Sequence, residues 1–68
     1  MGAEIEQVAW AKPFKPFRLK LADGQFIDVT RTHQLVVMAK EIFVVLPNDR
    51  WKFVPLNEIA GIEMLPAS

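Results

Sequence analysis

Two Pro-Phe pairs three residues apart, Pro13-Phe14 and Pro16-Phe17, constrain this chain more than any other feature. Proline fixes φ, removes a backbone donor and pushes the residue before it out of the α region. A helix arriving from the N-terminus is therefore expected to end near Ala11-Lys12. The two phenyl rings are large enough to anchor the joint in a core. From Phe17 the pattern has period two: Phe17, Leu19 and Leu21 fall on one side, Arg18 and Lys20 on the other. Such alternation marks a half-buried strand. The chain thus divides into a helix over 3–12, a joint over 13–16 and antiparallel sheet over 17–65.

Asp23-Gly24 marks the first turn, and the faces of its flanking strands decide the register. A two-residue loop would set Leu19 against Asp28 and place a carboxylate on the apolar side. A three-residue loop, Ala22-Asp23-Gly24, closed by glycine in the left-handed conformation, avoids this. It sets Leu19 against Ile27, Phe17 against Val29, and Arg18 against Asp28 as an opposite-charge pair. A slip of one residue would turn every side chain to the wrong face, so the three-residue loop is expected.

With 68 residues the chain makes one domain, 1–68, small enough to gain from oligomerisation. It has no cysteine, so neither disulfides nor thiolate metal sites are available, and nothing points to an oxidising compartment. Its 51% hydrophobic content argues against disorder. The apolar runs are short and broken by charge, so no membrane span is expected, and neither is a signal peptide. The expected location is the cytoplasm. Formal net charge is zero, which removes any overall pull towards nucleic acid or anionic lipid.

In the helix, Ile5, Val8 and Ala9 form one apolar face with Trp10 at its flank, and Glu4 and Glu6 suit its first turns. A helix this short must dock to persist. Beyond the first turn, strands are expected at Phe26–Thr30, Leu35–Ala39, Ile42–Leu46, Trp51–Pro55 and Ala60–Leu65. The polar run 30–34, with Thr32 and His33 in it, reads as a loop or a single helical turn, and a short 3₁₀ turn is expected at 56–59. A turn centred on Lys40-Glu41 would pair Val37 with Val44. One centred on Asn48-Asp49 would pair Val44 with Phe53 and Phe43 with Val54. One face of this second sheet then carries Leu35, Val37, Ile42, Val44, Leu46, Trp51 and Phe53. The other carries Val36, Met38, Phe43, Val45 and Val54, with Lys52 among them. Both faces are apolar, whereas a one-layer antiparallel sheet normally keeps one face wet. The second face must be covered by the helix, by barrel closure or by another subunit. The helix is too short to cover all of it, and leftover apolar surface of this kind marks an interface.

The other candidates are weaker. Lys12, Lys15, Arg18 and Lys20 alternate with Phe14 and Phe17, and cations beside aromatic rings can hold single-stranded nucleic acid. The plainer reading makes the rings core and the cations a solvated strand face partly neutralised by Asp28. His33, the one histidine, has no second histidine, cysteine or clustered carboxylate near it in sequence to build a metal or catalytic site. Trp10 and Trp51 suit interface anchors as well as core positions. Glu58 and Glu63 have nothing to place them in a pocket. No nucleophile–base pair is evident, so no enzyme activity and no cofactor are expected.

The leading helix, Pro13-Phe14-Lys15-Pro16-Phe17, Leu21-Ala22-Asp23-Gly24, His33 in its link, the apolar hairpin and Ile59-Ala60-Gly61-Ile62-Glu63 together resemble a family of short bacterial proteins without an assigned function. The resemblance covers nearly the whole chain. It departs at the turn near Lys40-Glu41, which lacks glycine, and after His33, where no proline follows. It implies the fold boundaries and no chemistry. The expected fold is α+β, a short N-terminal helix followed by about five antiparallel strands in a strongly curved sheet or a small barrel similar to SH3-like and Sm-like barrels. The expected role is a non-enzymatic interaction or oligomerisation module, with a single-stranded nucleic-acid binder as the alternative.

Overall fold

The computed structural model describes residues 2–66, so Met1, Ala67 and Ser68 of the expected domain lie outside the described residues. Helix α1 runs Gly2–Ala9. Six strands follow: β1 Phe17–Leu21, β2 Phe26–Val29, β3 Leu35–Val37, β4 Glu41–Leu46, β5 Arg50–Pro55 and β6 Ile59–Met64. A 3₁₀ turn, Leu56–Glu58, joins β5 to β6. The strands form two three-stranded antiparallel sheets, ordered β2-β1-β6 and β3-β4-β5. The α+β class stands. The expected count of about five strands and the single curved sheet or closed barrel give way to six strands in two separate ladders.

The joint acts as its prolines dictate. Helix α1 stops two to three residues earlier than expected, and the phenyl ring of Phe14 packs 6.2 Å from that of Phe17. The first hairpin has the three-residue loop. Phe17 faces Val29, Arg18 faces Asp28 and Leu19 faces Ile27. The Gly24 N–H donates to the Leu21 carbonyl at 3.0 Å, and Gly24 sits at φ 91°, where a side chain would be strained. Asp23 Oδ1 accepts from the Gln25 N–H at 2.9 Å and braces the loop.

The other two turns differ from expectation in instructive ways. Between β3 and β4 the turn sits one residue earlier, on Ala39-Lys40, where the Met38 N–H donates to the Glu41 carbonyl. The pairing moves by two, to Leu35–Val44 and Val36–Phe43, so every side chain keeps its face. Between β4 and β5 the loop holds three residues, Pro47, Asn48 and Asp49, and Leu46 faces Arg50. Pro47 has no N–H to close a tighter loop. Asn48 and Asp49 both take positive φ, which their short polar side chains tolerate. This slip is one residue, so β5 is turned over. Ile42 faces Val54 and Phe43 faces Phe53. Val54, expected on the outer face, is 1% exposed in the core, while Trp51 and Phe53 point outwards.

The core lies between the sheets. Phe17, Leu19 and Leu21 of β1, Ile27 and Val29 of β2, and Ile59 of β6 meet Leu35, Ile42, Val44 and Val54 of the second sheet. Helix α1 closes one side of it with Ile5, which is fully buried, and with Val8 and Ala9. Gln34 ties the halves together. Its Oε1 accepts from the N–H groups of Thr30 and Arg31, and its Nε2 donates to the carbonyls of Asp28 and Val45.

Candidate interaction face

The two sheets turn very different faces to solvent. On the first, alternation leaves Arg18 and Lys20 of β1 pointing out beside Phe26 and Asp28 of β2 and Glu63 of β6. Arg18 Nε donates to Asp28 Oδ1 at 2.7 Å and its guanidinium lies 4.0 Å from the centre of the Phe26 ring. The hydrogen bond to Asp28 raises the Arg18 pKa above its ordinary value, against the opposing effect of desolvation. Arg18 is therefore charged at every working pH. Lys20 pairs with Glu63 at 3.2 Å. This face is a set of neutralised charges around one ring stacked under a cation.

The outer face of β3-β4-β5 is apolar. Val36, Phe43 and Phe53 form one row across its three strands, and Val45 lies beside Trp51 in the next. The Phe43 and Phe53 rings are 5.2 Å apart and tilted by 57°, a favourable aromatic contact. Val36 is 53% exposed, Phe53 51% and Trp51 64%. Met38 is exposed at the end of β3, and Glu41 lies at the same rim. Helix α1 packs against β3 and the edge of the core, and this outer row stays open.

Four of the five expected interface residues, Val36, Met38, Phe43 and Val45, thus share the outer face, and Val54 does not. Phe53 and Trp51 take its place, and only the β4-β5 register could have assigned them. The four cations separate into two kinds. Arg18 and Lys20 are held by carboxylates, whereas Lys12 and Lys15 lie on the joint and make no ion pair among the described residues. Glu63 is engaged by Lys20, and the Glu58 carbonyl accepts from the Ala22 N–H.

The structure also joins two residues that sequence spacing keeps apart. The Trp10 and His33 rings meet edge to face, 6.4 Å between centres, at a cleft of about 350 Å³. Nothing local in the sequence marks this contact across the intervening hairpin. Among the described residues, no group of three or more His, Asp or Glu is arranged to hold a metal ion. No described helix is long and apolar enough to cross a membrane.

No family model, curated protein or solved structure matches the chain. The resemblance drawn from Pro13–Phe17 and Leu21–Gly24 therefore rests on the sequence alone.

Proposed function

We propose that the protein is a non-enzymatic interaction module that self-associates through the outer face of β3-β4-β5. One observation carries this reading: Val36, Phe43, Phe53, Val45 and Trp51 lie together on a face with no charge at its centre. Such a face is complementary to a second copy of itself, as a two-fold interface requires. Strand spacing and rise give three short strands a face of roughly 15 by 20 Å. A patch of this size is comparable to the largest apolar patch of a typical monomer, about 300–600 Å², which is often functional. A stable dimer commonly buries about 800 Å² on each partner, so this one is expected to be weak and concentration-dependent unless Met38 extends it. A chain without cysteine gains nothing from an oxidising compartment, and the reading places the module in the cytoplasm.

The test is sedimentation across a concentration series, for the parent chain and for Phe53→Glu and Phe43→Glu. The parent is expected to associate as concentration rises, with little dependence on salt. Both variants are expected to stay monomeric with an unchanged circular dichroism spectrum. A parent that remains monomeric at every concentration removes the reading. For the alternative, single-stranded nucleic-acid binding, two of its four cations, Lys12 and Lys15, remain without a carboxylate partner among the described residues. Its sign would be an oligonucleotide affinity that falls steeply with salt.

A further inference from the structure

The cleft beside Trp10 is separate in chemistry from the apolar sheet face, although Val36 borders both. It is lined by the segment just after α1 with Trp10 and Lys12, by the link between β2 and β3 with Thr32 and His33, and by Leu35 and Val36. Its volume of about 350 Å³ sits at the small end of ligand pockets, the size for a one- or two-ring molecule. Trp10 offers a flat apolar surface, 66% exposed. Lys12 is the charged side chain at the wall, and no acidic side chain among the described residues lines the cleft. The last carbonyls of α1 carry partial negative charge, which opposes Lys12 in part and weighs more heavily against a phosphate dianion than against a single carboxylate.

His33 supplies a second, independent observation. Its backbone has φ 63°, the left-handed region where glycine sits without penalty. Gln34 fixes this link by accepting from the N–H groups of Thr30 and Arg31. The fold therefore holds an imidazole, edge to face with Trp10, on left-handed backbone that few side chains other than Asn, Asp and His adopt. Left-handed residues of this kind occur in tight turns, as at Asn48 and Asp49, and also collect at ligand sites.

We propose that this cleft binds a small aromatic carboxylate, with the ring against Trp10 and Val36, the carboxylate on the Lys12 ammonium, and Thr32 and His33 as polar neighbours. The occupant follows from charge and shape: the flat exposed ring of Trp10, one cation and no opposing acid side chain in the lining.

The probe is phenylacetate, with its uncharged amide, phenylacetamide, as control. The Trp51→Phe chain leaves Trp10 as the one fluorophore, and Trp51 is exposed enough to be replaced without loss of fold. Phenylacetate is expected to change Trp10 emission saturably, and the amide to bind roughly tenfold more weakly for want of the charged contact. Lys12→Gln is expected to remove that difference. His33→Gly is expected to weaken phenylacetate binding while leaving the melting temperature equal or higher, since glycine relieves the strained backbone. Amide ¹⁵N–¹H shifts of the unmodified chain give a second readout, expected at Trp10, Lys12, Thr32 and His33. No saturable change, equal response to the amide, unaltered binding by His33→Gly, or shifts confined to the Phe43–Phe53 face would each overturn the proposal.

Discussion

Gln34 does more at the scale of one residue than any other polar side chain here. Its amide uses both donors and accepts twice, joining β2, the following link and β4. Replacing it by Ala leaves the Val45 carbonyl and two link N–H groups to find water. The expected cost is about 1–2 kcal/mol, read by urea denaturation, with faster amide exchange at Thr30 and Arg31. Gly24 is the other position where one residue sets local geometry. No described atom lies within 4 Å of where its Cβ would be, so a side chain meets backbone strain and no clash. Gly24→Val is expected to cost about 1–3 kcal/mol in the same measurement. An unchanged midpoint would mean the loop can refold around valine. Glycine 24 was legible in sequence because the charges and apolar residues flanking it accept one register. Gln34 was not, because its partners are a carbonyl in β2 and another in β4.

Among the elements, α1 depends most on its neighbours. Eight residues cannot hold a helix in water, so it persists by burying Ile5, Val8 and Ala9. Ile5→Ala is expected to cost about 2–5 kcal/mol through the cavity it leaves. A domain of this length has only roughly 3–10 kcal/mol to lose. The far-UV helical signal should fall and thermal unfolding should broaden; a sharp, unshifted transition would show that the helix is not integral to the core. Strand β5 shows the limit of pattern reading. Its residues alternate between Arg50, Lys52 and Val54 on one side and Trp51, Phe53 and Pro55 on the other. Hydrophobicity alone turns the aromatic set inwards. In the fold, β5 is an edge strand whose first residues run past the core, so Arg50 and Lys52 reach solvent and Val54 alone is buried. Pro47 and the two left-handed loop residues decide this register.

The whole molecule is two sheets that share a core and differ outside it. The Lys20–Glu63 pair is about half exposed and the Arg18–Asp28 pair about a third, so both stay in contact with water and removing them should matter little to stability. The double variant Arg18→Met, Lys20→Met is expected to shift unfolding free energy by less than about 1 kcal/mol. It should leave self-association unchanged in sedimentation, because these side chains lie on the opposite outer face from Phe43. A dimer weakened by this change would mean that both sheets take part.

Local pattern was enough for the helix-to-strand joint, the first hairpin with its register, the 3₁₀ turn and the existence of a second apolar face, because each depends on residues close in sequence. Tertiary structure alone decided that there are two ladders, that β5 presents Phe53 and Trp51 outwards, and that Trp10 meets His33. Those outcomes rest on which elements compete for the same core, and a face that is apolar on both sides carries no internal record of which side wins.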